Sequence, residues 1–427
     1  MRAPLIAAVL AVQVSGAAMA ATFDLTQQLA APGFAAEDRF GATVAVSGNL
    51  IAVGAPNDAT NGPAAGQAFV YDATTGDLVA VLDDPNPSSA NSFGRSIAIS
   101  GNRVLVGAAG SLATESALSG RAYLYEATTG ALLQTFVRPD TNTRRSFGEV
   151  LAIDGEAVLI SDGAEEVFLF DAASAAPEQR FRNPDQGRRG FAFGNDIAID
   201  GDRILVGAAG DGSNGNNAGQ AFLYSASTGA LLRIFDDPTP AAFDQFAIAV
   251  DLSGDTILIG ADGATTNRDN AGEAFLFSAE TGDLLQTLTD DFPASADSFE
   301  GFGRALAISG ETIVISGPLD EGLLLGLAFI FDAETGDQLQ RVSDAQPLVG
   351  ERFASSIGIS GNTIVFGVPG EDFPDPLSPI RVQDAGSVIV FQREAPGTTV
   401  VPLPGGLPLY LGALLAMAGL RRVWIKS

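Results

Sequence analysis

Carboxylates, tyrosines and arginines are the only side chains that could do acid–base chemistry in the body of this sequence. Its 427 residues contain 51 Asp plus Glu and 23 Lys plus Arg, but no His and no Cys. A catalytic triad with His, a thiolate nucleophile, a His/Cys zinc site and a disulfide framework are therefore excluded. The only lysine is Lys426, so residues 21–400 also lack a Schiff-base lysine and a phosphate-loop lysine.

Paired carboxylates recur along the chain. The pairs are Asp83-Asp84, Asp236-Asp237 and Asp290-Asp291. A glycosidase needs two opposed carboxyl groups about 5–10 Å apart. A pair that recurs with a repeat is better explained by the repeat than by one active site, so we predict no catalytic residues.

Arginines collect in two neighbouring segments of an otherwise acidic chain. Outside the two ends, 19 Arg stand against 51 acidic residues, a charge of −32, which argues against nucleic acid and anionic membrane surfaces as partners. A local basic patch could seat an anionic group such as a uronate or a carboxylate side chain. The alternative is pairing with neighbouring acids such as Asp140, Glu149 and Asp185. The candidate ligand-binding residues are Arg144, Arg145, Arg188 and Arg189, with Arg180 and Arg182 nearby.

The elements that must position these side chains come from a unit that occurs seven times. It begins with a Phe-Gly or Phe-Ala pair, at spacings of 46 to 56 residues. The seven pairs begin at Phe40, Phe93, Phe147, Phe193, Phe246, Phe302 and Phe353.

Each unit contains four short apolar phrases with period-two alternation, separated by turns rich in Gly, Asn and Asp. Examples are residues 96–99, 104–107, 120–125 and 283–288. Such runs predict four strands per repeat, and no part of the body has a sustained helical period. The fold class is therefore all-β, and a seven-bladed β-propeller of four-stranded antiparallel blades is favoured over a sandwich or solenoid.

The seventh repeat lacks its fourth strand. Strands are predicted at 356–359, 363–367 and 386–391, and then only a linker follows. Residues 23–29 match the missing phrase, so the N-terminal strand is expected to complete the last blade and close the ring. We predict a single propeller domain over residues 22–394.

The Phe-Gly openings, the Val-Gly-Ala-Pro phrase at 53–56 and the glycine-led aromatic strand resemble the FG-GAP repeat. That repeat is the blade unit of the integrin α-chain head and of many secreted bacterial proteins, and the resemblance covers nearly the whole mature chain. The third repeat departs most, because residues 162–166 leave almost no loop and its fourth phrase degenerates to 173–181. We expect that blade to be the smallest or most irregular.

The FG-GAP resemblance raises the question of calcium, because the family often carries loops with oxygen ligands at alternate positions. The nearest match, and our metal-site candidate, is Asp251, Ser253 and Asp255, without a downstream carboxylate in register. A second candidate comprises Asp211, Asn214, Asn216 and Asn217. Ordinary turns, which favour Asp, Asn and Gly, are the alternative. Calcium is the only cofactor that the sequence suggests.

Loops of a blade fall on two faces of the ring. Turns between strands one and two and between three and four are short and uniform, as at 47–49 and 73–76. Loops between strands two and three and between blades are long and diverse, as at 57–65, 211–218 and 370–385. Recognition is expected on the variable face, although these loops could also be plain solvated connections.

Both ends of the chain have the composition of targeting segments. Residues 1–20 combine Arg2, an apolar run and small residues ending at Ala20, which predicts a secretory signal peptide. Residues 395–406 form a linker and sorting motif, and residues 407–427 are an apolar segment with a basic tail.

The tail, with Val-Pro-Leu-Pro at 401–404, resembles the VPLPA variant of the PEP-CTERM sorting signals, with Gly405 in place of Ala. The resemblance implies an exosortase-type processing enzyme, transient membrane association through residues 407–425, and a Gram-negative host that makes an exopolysaccharide matrix. A plain C-terminal membrane anchor is the alternative.

Three functions remain open. The first is an exported, surface-displayed or extracellular propeller that binds a matrix polysaccharide or a surface protein without catalysis. The second is a carboxylate-based glycan hydrolase or lyase that uses the axial pocket. The third is a structural matrix component.

Overall fold

The computed structural model describes residues 22–33, 35–88, 91–110, 120–140, 146–163, 165–184, 192–264, 272–290, 301–317, 326–343, 352–374, 381–382 and 384–393. The predicted signal peptide, the segments from 395 onward and the candidates Arg144, Arg145, Arg188 and Arg189 lie outside these ranges. Within them, no helix is long and apolar enough to cross a membrane.

Seven four-stranded antiparallel sheets follow one another along the chain, each forming one blade. Blade 1 contains β2 (Thr43–Ser47), β3 (Leu50–Ala55), β4 (Gln67–Asp72) and β5 (Leu78–Asp83). Blade 2 contains β6 (Ile97–Ser100), β7 (Arg103–Ala108), β8 (Arg121–Glu126) and β9 (Leu132–Val137). Blade 3 contains β10 (Val150–Asp154), β11 (Ala157–Ser161), β12 (Glu166–Asp171) and β13 (Pro177–Arg182). Blade 4 contains β14 (Phe193–Asp200), β15 (Arg203–Ala208), β16 (Gln220–Ser225) and β17 (Leu231–Asp236).

The remaining blades follow the same order except at the seam. Blade 5 contains β18 (Ala249–Ser253), β19 (Thr256–Ala261), β20 (Glu273–Ser278) and β21 (Leu284–Leu288). Blade 6 contains β22 (Leu306–Ser309), β23 (Thr312–Ser316), β24 (Leu327–Asp332) and β25 (Gln338–Ser343). Blade 7 contains β26 (Ser356–Ser360), β27 (Thr363–Val368), β30 (Ser387–Arg393) and, from the other end of the chain, β1 (Phe23–Leu29). A short hairpin of β28 (Phe373–Pro374) and β29 (Arg381–Val382) lies between β27 and β30.

Burial within a blade follows strand position. The two middle strands, such as β3 and β4, are buried along nearly their whole length because neighbouring blades cover both faces. This explains their continuous apolar runs. The outer strands, such as β9, leave most side chains exposed and bury mainly one aromatic residue, here Phe136.

The N-terminal strand closes the ring as predicted. β1 pairs antiparallel with β30, from Phe23 opposite Arg393 to Leu29 opposite Val388. Gln340 of blade 6 fixes the same strand, since its amide accepts from Phe23 N at 2.9 Å and donates to Phe23 O at 2.8 Å. The closure covers the edge of β30, which would otherwise be free, and leaves β1 as the outer strand of the blade.

The seven Phe-Gly or Phe-Ala pairs are where adjacent blades interlock. Every phenylalanine of these pairs is at most 2% exposed, and the following residue has a positive φ of 58° to 92°. The glycine before the third strand packs on the next blade's Phe backbone, where a Cβ would lie 1.8–2.2 Å from the carbonyl oxygen. These glycines are Gly66, Gly120, Gly219, Gly272, Gly326 and Gly386. Only glycine permits this approach.

Blade 3 corrects one expectation. Its four strands pair as completely as those of other blades, with one bulge at Leu169/Phe170. The expectation that it is the most irregular blade is therefore wrong, whereas its loop after β11, residues 162–165, is the shortest between a second and a third strand. Asp162 closes that loop by accepting from the amides of Glu165 and Glu166 at 2.9 and 3.0 Å.

Candidate functional site

One face of the ring is tied together by hydrogen bonds between consecutive blades. The last residue of each first strand accepts from the amide of the glycine in the next blade's first turn, at 2.6–3.2 Å. The acceptors are Ser47, Ser100, Asp154, Asp200, Ser253, Ser309 and Ser360, and the last bond runs from Gly48 back to Ser360. The Ser-Gly and Asp-Gly turns of the sequence are thus a closed sevenfold belt, which we call the tied face.

The opposite face carries the loops between strands two and three and the segments that enter each new blade. The entering segments lie on the preceding blade's loop: Phe93 N donates to Ala65 O at 2.9 Å, and Phe246 N donates to Ala218 O at 3.0 Å. We call this surface the loop face. The same bond runs from Phe40 N to Ala385 O at 3.0 Å. The loops between strands two and three differ in length and sequence, so ligand recognition is best placed on this face.

The described part of the loop face contains a buried arginine–carboxylate cluster between blades 2 and 3. The Arg138 side chain is 1% exposed and contacts Asp140 at 2.6 Å and Asp162 at 2.7 Å. Its remaining nitrogen binds Glu166, a carboxylate that also receives Arg180 and Arg182. We call these six residues the Arg138 cluster.

The Arg138 cluster is electrically balanced, with three arginines and three acids. Burial would lower the pKa of Arg138, but the hydrogen bonds and charges of Asp140 and Asp162 raise it. Arg138 and Arg180 also lie over the Phe168 ring, at 5.1 and 5.2 Å from its centre, where cation–π attraction adds to the fixation. The cluster is a rigid support rather than a vacant anion site.

Sequence reasoning anticipated part of this cluster. Pairing of Arg180 with Asp140, the predicted alternative, is present at 2.9 Å, whereas Glu149 pairs with Arg95 at 2.8 Å. Arg138, Asp162 and Glu166 were missed. A signal existed, because Arg138 occupies the position before proline that is Asp84 and Asp237 in other repeats.

The cluster lies at the origin of both candidate arginine segments. Asp140 is the last described residue before 141–145, and β13 ends at Arg182, shortly before 185–191. The structure thus fixes where these segments leave the scaffold, at two successive junctions on the loop face.

The calcium candidates Asp251 and Ser253 are engaged with the next blade. Asp251 accepts from the amides of Leu252 and Ile308, both at 2.8 Å, and Ser253 accepts from Gly310 N at 3.1 Å. Ser253 is therefore one member of the tied face.

The third candidate, Asp255, turns to its own blade. It accepts from Ser278 Oγ at 2.9 Å and from Glu280 N at 2.8 Å, and it lies 3.3 Å from Arg203. The three residues are thus directed to different partners. Among the described residues, no group of three or more acidic side chains is arranged to hold a metal ion. In the second candidate set, Asp211 accepts from Asn183 and from Ser213 N.

Two carboxyl groups in the first strands have strongly perturbed acidity. Asp196 accepts from Ile197 N at 3.0 Å and from Val250 N of the next blade at 2.7 Å. Burial raises the pKa of Asp196 to about 7 and that of Asp251 to about 6. Asp196 was not singled out from sequence, although it occupies a position that is Thr43 or Ser96 in blades 1 and 2.

The fold and its two faces define a seven-bladed β-propeller with one uniform and one variable surface. Four segments, residues 23–71, 78–125, 183–224 and 238–277, match the FG-GAP repeat family model. These four segments of the propeller are therefore similar to FG-GAP repeats.

A solved structure of the computationally designed Ika8 protein is similar in outline, covering 84% of this chain and 97% of its own, at 16% sequence identity and a TM-score of 0.47. The curated proteins gave no match.

Proposed function

We propose that this propeller is a non-catalytic binding module that is exported and displayed on the cell surface or released. The contrast between the two faces carries the proposal. On the tied face, seven equivalent hydrogen bonds join consecutive blades. On the loop face, loops of different length and sequence occupy corresponding positions of the blades. Such a division is typical of rigid scaffolds that bind through loops.

The proposed ligand is a matrix polysaccharide with uronate groups or a surface protein with carboxylate side chains. Arg144, Arg145, Arg188 and Arg189 are the proposed contacts, because the Arg138 cluster holds the starting points of their segments. Guanidinium groups bind carboxylates with two parallel hydrogen bonds. A chain of net charge −28 would repel an anionic polymer elsewhere, so binding should be local and sensitive to salt.

A polysaccharide panel tests this function. A polyuronate and a neutral polymer of similar length are compared for binding and for release of reducing ends, with calcium and with a chelator. We expect the polyuronate to bind without product release, and Arg144→Ala/Arg145→Ala or Arg188→Ala/Arg189→Ala to weaken it at least about tenfold. Arg103→Ala and Arg203→Ala are matched controls, because these arginines neighbour the tied-face turns.

The enzymatic alternative has one observation in its favour. Asp196 and Asp251, in adjacent first strands, have raised pKa values suited to proton transfer near neutral pH. Each carboxyl oxygen of the two residues, however, already accepts a hydrogen bond from a backbone amide. Release of reducing ends that Asp196→Asn or Asp251→Asn abolishes would establish the hydrolase or lyase and end the binding-only proposal.

Export and tail processing form a separate part of the proposal. The predicted signal peptide and the PEP-CTERM-like tail support it. The intact mass of the protein recovered from its host should correspond to a chain that begins after Ala20 and has lost the segment beyond the 401–406 motif. Recovery of the full 427-residue mass from a membrane fraction would favour a retained anchor.

A further inference from the structure

The junctions from blade 1 to blade 2 and from blade 4 to blade 5 are built alike. In the first, Asp84 follows β5, accepts from Asn86 N at 2.8 Å and accepts from the Asn91 side-chain amide at 2.5 Å. Asn91 stands two residues before Phe93. An amide donor therefore meets a carboxylate acceptor across the junction.

The junction between blades 4 and 5 keeps this backbone arrangement but has acids on both sides. Asp237 follows β17 and accepts from Thr239 N at 2.8 Å. Asp84 likewise accepts from the amide of the residue two positions after it. Asp244 stands two residues before Phe246 and replaces the amide of Asn91. Its backbone carbonyl accepts from Gly263 N at 3.1 Å, where that of Asn91 accepts from Gly110 N at 3.4 Å.

Each of these two aspartates has one carboxyl oxygen without a hydrogen-bond partner. In the described part of the chain, Asp237 Oδ2 and Asp244 Oδ1 are buried and have no hydrogen-bond partner. The two residues are 4% and 2% exposed, so bulk solvent does not reach these atoms. Asp237 Oδ2 is the counterpart of the Asp84 oxygen that receives the Asn91 amide. In the first junction the Asn91 amide donates to the Asp84 oxygen. Asp244 in place of Asn removes that donor and leaves Asp237 Oδ2 unpaired.

We propose that Asp237 and Asp244 share one proton in the folded protein, as a carboxyl–carboxylate hydrogen bond that locks the blade 4–blade 5 junction. The carboxyl group donates to the carboxylate and replaces the amide donor of the other junction. The pair forms with the fold and is independent of the proposed ligand.

A proton fits this place better than a metal ion. The equivalent junction is one hydrogen bond wide, 2.5 Å between Asn91 Nδ2 and Asp84 Oδ2, whereas calcium takes 6–8 oxygens at about 2.3–2.6 Å from the ion. The acidity of the two groups agrees with this reading. Burial raises the pKa of Asp237, the charge of Asp244 raises it further, and burial raises the pKa of Asp244.

The other charged groups on the adjoining elements already have partners. Asp211 binds Asn183, and Asp236 binds Asn214 and Gln220. Asp262 Oδ2 lies 3.4 Å from Arg304, while its Oδ1 is buried without a hydrogen-bond partner among the described residues. Glu273 begins the third strand of blade 5 and also has a partner.

The junction should therefore respond to pH with a defined sign. The unfolded chain holds two ordinary aspartates, so the folded pair binds an extra proton from about pH 4 up to its own raised pKa. The junction is most stable at the acidic end of this window and loosens as pH rises. Since it lies on the loop face, loosening would reshape that surface.

Amide hydrogen exchange of the full chain at pH 4 and pH 8 tests the pair. The probes are the amides of Phe243 and Gln245, which donate to Asn216 O at 2.8 Å and Asn217 O at 3.1 Å. After correction for intrinsic exchange rates, we expect their protection to fall at least about tenfold across this range, the effect of one pKa unit. In Asp244→Asn and in Asp237→Asn the fall should be below about twofold, because an amide donor replaces the proton.

Matched controls make the result specific. Asn91→Asp creates the same pair with Asp84, so the Ser92 amide, which donates to Ala64 O at 3.2 Å, should acquire the pH dependence. Asp262→Asn should leave the effect at Gln245 unchanged.

An unchanged fall in both Asp237→Asn and Asp244→Asn would overturn the proposal. Restored protection at pH 8 on adding calcium chloride, in wild type but not in Asp244→Asn, would also overturn it in favour of a cation.

Discussion

At the residue scale, Arg138 is the only buried arginine in the described part of the chain. It is enclosed by three carboxylates, of which Asp162 is fully buried. Removing a buried partner leaves uncompensated charge, which costs about 3–5 kcal/mol. An exposed ion pair contributes about 0–1 kcal/mol.

We therefore predict that Arg138→Met lowers the free energy of unfolding by about 3–5 kcal/mol. Arg95→Met, at an arginine whose side chain is 57% exposed, should lower it by less than about 1 kcal/mol. Urea titrations of both variants measure the difference. Equal effects would mean that water enters the Arg138 cluster and screens its charges.

Asp196 gives the pH dependence of global stability a sign. Its folded pKa of about 7 lies above the unfolded value of about 3.9. The folded chain therefore binds more protons in this window, and stability falls as pH rises from about 4 to about 7.

In Asp196→Asn, we predict that the loss of unfolding free energy between pH 4 and 7 is smaller than in wild type by roughly 2–4 kcal/mol. Asp72→Asn is the control, because hydrogen bonds from the amides of Thr75 and Thr74 lower the pKa of Asp72, so it titrates below this window. Chemical denaturation at several pH values measures both. An identical slope in Asp196→Asn and wild type would show that Asp196 stays ionised.

At the element scale, blade packing depends on glycines that admit a neighbour's backbone. A Cβ on Gly219 would lie 2.0 Å from Phe246 O, and φ there is +87°. Gly101 has a similar positive φ of +56°, but nothing lies within 4 Å of its Cβ position. Comparing Gly219 with Gly101 separates the cost of a positive φ from the cost of a neighbouring backbone that lies too close for a Cβ.

Gly219→Ala is predicted to cost about 3 kcal/mol or more, because blades 4 and 5 must move apart. Gly101→Ala should cost about 1–2 kcal/mol, the penalty of the left-handed conformation alone. Thermal or urea unfolding compares them. If the two variants lose equal stability, the blades are not in the close contact described.

The strands were predictable because the repeat supplies seven readings of one pattern. The expected strand at 96–99 is observed as β6, Ile97–Ser100, and the closing strand at 23–29 is β1 itself. The fourth strand of blade 3, expected within 173–181, is Pro177–Arg182, since its apolar pattern is reduced to Phe181. Pairing with β12 fixes this strand where composition does not.

The Arg138 cluster could not be predicted in the same way. Its members come from three phrases, and Arg138 is 24 residues from Asp162 and 28 from Glu166. Only the register between blades 2 and 3 brings them together. The Asp237–Asp244 junction likewise becomes visible only when its hydrogen bonds are set beside those of Asp84 and Asn91.

At the scale of the whole molecule, stability depends on closing the ring by pairing the first and last strands of the propeller, β1 and β30. Without β1, the edge of β30 would be open to pairing with another chain. Deleting residues 22–30 should therefore destabilise the protein and promote self-association. Grafting residues 23–29 after Arg393, through a turn copied from residues 332–337, should restore a monomer. Size-exclusion chromatography with urea unfolding tests this, and a stable monomeric deletion variant would contradict the closure.

The hydrogen-exchange footprint of a bound polyuronate on the full chain shows directly which face of the propeller binds it. We expect added protection in the loop-face segments around blades 2 to 4 and none in the tied-face turns, such as residues 100–102 and 200–202. The footprint should vanish with Arg144→Ala/Arg145→Ala. Protection centred on the tied-face turns, or a polymer that is cleaved rather than held, would contradict a binding propeller that recognises its ligand through the variable face.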